Sequence, residues 1–164
     1  MITIELNDAQ ISAMLDRVAH GLTDMTPLMQ EFGEFLVEST KQRFKDGTDP
    51  EGNAWAPKSE TTIEQYERRG DTVDFRPLFG PTGRLSSEIS YEADADGVRW
   101  GSNLIYSAVM QFGAGKGEFG SMANGSPIPW GDIPARPFLG VSADDRMALI
   151  DTGEEWLEDI TGGN

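Results

Sequence analysis

The sequence predicts an α+β fold: a small, mostly antiparallel sheet packed against two or three helices, with long loops between them. Three observations carry this expectation. Apolar residues recur at helical spacing near both ends of the chain, and alternating runs flank a turn signal in the middle. The Gly- and Pro-bearing stretches between them are too long to be tight connections. At 164 residues the chain suits a single domain spanning 1–164, large enough to bury a core without staples.

The elements follow in order. Ile2, Ile4 and Leu6 alternate with Thr3 and Glu5 as in a half-buried strand. Asn7 can cap a first helix, with Gln10 three residues on; Ile11, Met14, Leu15 and Val18 keep helical spacing, and Gly21 marks a stop. A second helix starts at Thr26 with Pro27 at its first position, where a missing N–H costs nothing. Leu28, Phe32, Phe35 and Leu36 form its apolar stripe, Gly33 marks close packing, and Lys41, Arg43 and Lys45 sit near its end, where cations suit the dipole. Residues 46–83 read as loop, enclosing one short helix over 59–69 with Ser59 as its cap. Residues 85–92 and 98–102 form a hairpin turned by Asp96-Gly97. Residues 106–112 make a short apolar helical turn, and 114–133 a long loop. The last helix covers 143–158, entered through a Ser142/Asp145 capping box, with Gly153 as an interruption.

Composition narrows function mainly by exclusion. Charged residues at 25% and hydrophobic residues at 38% describe a soluble globular chain made without export, with no membrane segment. The absence of cysteine excludes disulfides and thiolate metal sites. A formal charge of −15 argues against nonspecific binding to phosphate backbones or anionic lipid. His20 is the single histidine, and the acids Glu154, Glu155, Glu158 and Asp159 lie on a solvated helix end. Neither offers catalysis. Gly115-x-Gly117-x-x-Gly120 matches a dinucleotide pattern in letters only, since no βαβ unit surrounds it. Glu92-x-Asp94-x-Asp96-Gly97 half resembles a calcium loop but has Asn103 where a bidentate Glu belongs, so an acidic hairpin turn explains it better. No cofactor or metal is expected.

Several segments carry structural specificity. Asp49-Pro50-Glu51-Gly52 suits a type I turn, and Trp55 follows it as a core anchor. Trp130, between Pro129 and Gly131 in the long loop, has the better claim to an interface, with Phe119 in the same loop as a second candidate. Arg136-Pro137-Phe138-Leu139-Gly140 is a stiff extended segment: Phe138 and Leu139 are expected to seat the final helix on the sheet, and Arg136 to pair with a carboxylate nearby or on a neighbour.

In order and spacing, Phe44-x-x-Gly47-x-Asp49-Pro50-x-Gly52-x-x-Trp55-Ala56-Pro57, Thr82-Gly83-Arg84-Leu85-x-x-x-Ile89, Val98-x-x-Gly101, Tyr106-x-x-x-x-Gln111-x-Gly113 and Pro134-Ala135-Arg136-Pro137-Phe138-Leu139-Gly140 together resemble the phage virion morphogenesis family, the tail-completion group of Mu-like and P2-like tailed phages and prophages. Relatives often carry a His where this chain has Met110, so no role of that imidazole carries over. The resemblance implies a non-enzymatic structural protein of the virion neck or tail end, made in the host cytoplasm and acting in tail completion or head–tail joining. It implies a homo-oligomeric ring, commonly six-fold, contacting other neck, tail or head proteins, with DNA passing nearby and not bound specifically. Two further readings stand beside it: an acidic DNA mimic, suggested by the charge, and a small acid-pair hydrolase.

Overall fold

The structure, a computed structural model, describes residues 9–162. The strand expected over residues 2–6 and the Asn7 cap lie outside them. The order is α1 (Ala9–Thr23), α2 (Thr26–Asp46), α3 (Glu60–Arg69), α4 (Arg84–Ser87), β1 (Ile89–Ala93), β2 (Val98–Ser102), α5 (Ser107–Phe112) and α6 (Ala143–Thr161). It is the small α+β fold expected, and among the described residues its sheet is a single two-stranded antiparallel hairpin.

α2 is the axis of the molecule. It packs against both strands and against α6, while α1 packs on α6. Its start differs in detail from expectation: Thr26 is already helical, and the Asp24 carboxylate accepts its N–H at 3.0 Å. Pro27 then takes the second helical position, where a donor is still dispensable. Gly47 ends the helix in the left-handed conformation (φ 73°) and donates to Arg43 O at 2.7 Å. Gly33 is the close-packing residue expected, because a Cβ there would overlap the Tyr91 ring of β1.

Two boundaries move. Gly21 does not stop α1, which runs two residues further; a Cβ at Gly21 would lie 3.0 Å from Ile160 Cδ1, so this glycine lets α1 approach α6. Residues 85–87 are helical and Glu88 is a turn residue, not strand. Gly83 turns the chain at φ 62°, the Ser86 and Ser87 hydroxyls donate to Gly83 O and Arg84 O, and Arg84 pairs with Glu88 one turn on at 2.7 Å. Local bonds that close a turn win over alternation here. β1 begins at Ile89, with Tyr91 opposite Trp100, and the Asp94 carboxylate accepts from the Asp96 and Gly97 N–H groups to close the hairpin. α3 keeps its Ser59 cap, bonded to Thr62 N. α6 runs unbroken through Gly153, past the expected end.

The core gathers residues far apart in sequence: Phe44, Trp55, Leu78, Leu85, Ile89 and Phe138. Phe44 is fully buried, edge-on to Trp55 at 5.6 Å and tilted against Phe138 at 5.3 Å. Burying each such side chain contributes roughly 1.5–3 kcal/mol. Phe138 thus packs on α2, while Leu139 faces the sheet, within 3.9 Å of where a Gly101 Cβ would stand. The final helix is not seated on the sheet as expected: α6 packs on α2 and α1, and Phe138 and Leu139 instead join the extended segment to α2 and to the sheet.

Candidate functional site

The signature segments converge on one scaffold. Asp49 closes its turn by accepting Gly52 N–H on its backbone carbonyl at 3.0 Å and Asn53 N–H on its side chain at 2.7 Å. Pro50, at the tip, meets Gly140 so closely that a Cβ there would lie 2.6 Å from Pro50 Cγ. The Trp55 indole N–H donates to Pro137 O at 2.9 Å, which ties loop 46–83 to the extended 134–140 segment. Gln111 of α5 finishes the tie: its side-chain oxygen accepts from Phe138 N and Leu139 N, and its amide donates to Leu139 O. Pro137 enters no ladder with β1 or β2, and side chains satisfy the backbone that a strand partner otherwise would.

Arg43 anchors the same segment from α2. Its guanidinium donates to Phe138 O, Gly140 O and Ser39 Oγ, and pairs with the Asp145 carboxylate. Asp145 is also the third residue of the α6 capping box, with Ser142 N donating to it at 2.8 Å. Burial pushes the Asp145 carboxyl up; hydrogen bonds from Ser39 and Ser142, with the Arg43 charge, outweigh that and hold it below the usual carboxylate range. Sequence reasoning found the capping box and placed Arg43 at the helix end, but missed their pairing. Nothing local announces a contact across a hundred residues.

Arg136 is 6% exposed and meets no carboxylate among the described residues. Its Nε donates to Ala56 O at 2.7 Å and its Nη2 to Pro57 O at 2.8 Å, because the extended 56–57 backbone runs alongside it. Below it opens a groove of about 600 Å³ walled by Tyr66 of α3, Pro81, Leu85, Tyr106 and Met110.

Trp130 and Phe119 lie elsewhere. Residues 114–133 fold back on themselves as an irregular arm, bridged at Ala114–Ile133 and Ser121–Pro127, with Phe119 N donating to Ile128 O and Ile128 N to Gly120 O. The Gly115, Gly117 and Gly120 run is one side of that arm. Gly113 fixes its root: φ is 77°, and a Cβ would stand 2.7 Å from Ile133 O. At 60% and 54% exposed, Trp130 and Phe119 project into solvent, against 6% for Trp55.

Chemically the described residues offer docking surfaces. Every carboxylate clearly shifted (Asp24, Asp49, Asp74 and Asp145) is held below its ordinary value, the opposite of what a general acid requires. Among the described residues no helix is long and apolar enough to cross a membrane.

No solved structure matches the chain. It is 28% identical over 159 residues to the Mu-like prophage FluMu G protein 2 of Haemophilus influenzae, an alignment covering 96% of this chain and 97% of that protein. The model of the phage virion morphogenesis family matches residues 6–158. The chain therefore belongs to the phage virion morphogenesis family.

Proposed function

We propose that this protein is a non-enzymatic structural component of the virion neck or tail end, acting in tail completion or head–tail joining as a ring of identical subunits around the DNA channel. The observation that carries the reading is the arm. A backbone-bonded projection rooted on a rigid core holds Trp130 and Phe119 out in solvent, where apolar anchors bury surface only when a neighbour arrives. A repeated contact between two different surfaces closes a ring without a self-complementary patch. The charge of −15 suits the channel: a negative wall repels phosphate and leaves DNA mobile.

The test is the mass of the purified protein by light scattering, alone and mixed with phage tails that lack it. A closed multiple of the subunit mass, co-migrating with tails, is expected. A strict monomer that associates with neither tails nor heads contradicts the reading.

A further inference from the structure

Two electrostatic oddities sit at opposite ends of this molecule. The first is the groove beneath Arg136. Lys58 donates to Asp74 O, Arg76 O and Phe79 O, and Arg136 to two further carbonyls, so both cations are held in the wall by backbone oxygens alone. Among the described residues neither makes an ion pair, in a chain with 28 acids against 13 bases. Arg136 Nη1 has no acceptor among the described residues. Arg84 adds a third cation at the rim, shared with Glu88, while the rim acid Asp132 already accepts from Lys116 N. Ser59, Thr62 and Thr82 add hydroxyls, and most of the remaining lining is apolar or aromatic. A desolvated cation without a counterion, beside an open apolar groove, calls for a carboxylate carried on an apolar segment.

The second oddity is the end of α6. Asp151, Glu154, Glu155, Glu158 and Asp159 bring five carboxylates to the last turns, and α6 supplies no cation of its own there to offset the negative end of its dipole. Among the described residues the cation at its end is Arg17 of α1, whose Nη2 would lie 3.0 Å from a Cβ at the Gly162 cap. Leu157, among them, is exposed. These acids cannot reach their own groove. α6 runs antiparallel to α2, with Asp145 paired to Arg43 at one end and Gly153 against Phe32 at the other. The groove lies by Phe44, whose core partners Leu78 and Leu85 line it. From Asp145 to Glu158 the helix climbs about 20 Å away from that level.

We propose that the Arg136 groove receives the acidic end of α6 from a second copy of this chain, the carboxylates meeting Arg136 and Arg84 while Leu157 enters the apolar lining. At about 600 Å³ the groove accepts a few side chains and not a whole helix. The contact joins two different surfaces, so it propagates head to tail, and each joint satisfies both oddities at once. It rests on the ring reading and adds a second pair of surfaces to the joint in which the arm takes part.

Mixing of full-length variants tests it. Arg84→Glu damages the groove and leaves the tail; Glu154→Arg/Glu158→Arg damages the tail and leaves the groove. Thr62→Glu, on the opposite wall, serves as a second groove variant. With each melting near the wild type, each alone should lose association about tenfold or more in sedimentation velocity. A groove variant mixed with the tail variant should restore dimers and nothing larger, since one native joint survives per pair. Variants that assemble like the wild type overturn the joint and leave the ring reading standing. A wild type that stays monomeric at every concentration, with or without tails, overturns both.

Discussion

Loops 46–83 and 114–133 are both long, both rich in glycine and proline, and each presents a tryptophan within two residues of a proline, yet the structure uses them in opposite ways. In the first, the Trp55 indole reaches Pro137 O and its ring lies edge-on to Phe44, so the loop becomes part of the core. In the second, Gly113 turns the chain outward, backbone bonds close the arm on itself, and Trp130 stays in solvent. The difference lies in what the rest of the chain brings to each. Loop 46–83 meets a segment whose carbonyls need donors, whereas the arm satisfies its own backbone and leaves its aromatic residues nothing inside the subunit to cover.

If that contrast is right, the core side breaks hardest. Phe138→Ala or Trp55→Ala should lose about 3–5 kcal/mol by chemical denaturation, the usual range for emptying a buried aromatic site. Arg43→Met leaves Asp145 buried without its cation and should cost a similar 3–5 kcal/mol. Much of that returns in Arg43→Met/Asp145→Leu if the loss is the orphaned charge and not the capping bond.

Acid separates the regions more gently. Asp74, bonded by Arg76, is held down at about 2, and Asp145 is also lowered. Both stabilise fully above the unfolded value of about 3.9 and lose that stabilisation as pH falls through the folded values. The melting temperature should therefore drop steeply between about pH 4 and pH 2, and less steeply in Asp145→Asn. The smallest effect on folding belongs to the arm: Trp130→Ala should stay within about 0.5 kcal/mol of the wild type.

Much of the scaffold was legible from the chain because its signals are local. Ser59, the Ser142/Asp145 box, Gly33, the Asp49 turn and the Asp96-Gly97 hairpin each announce themselves within a few residues, and each stands where expected. The failures share one cause. Gly21 serves a distant helix and does not end its own, and residues 85–88 trade alternation for a hydroxyl-closed turn. Arg43 finds Asp145, and within the subunit Arg136 finds carbonyls in place of the nearby carboxylate that was one of its two expected partners, through contacts no spacing rule encodes. The division between Trp55 and Trp130 was visible as a contrast of context; the groove between α3 and Arg136 was not, because four separate segments build it.

Trp130→Ala in the presence of tails tests the central claim most directly. The account predicts an unchanged melting temperature together with weakened assembly, read as a loss of the oligomer and of co-sedimentation with tails. A Trp130→Ala protein that melts as early as Trp55→Ala, or one that assembles and binds tails as the wild type does, would contradict it.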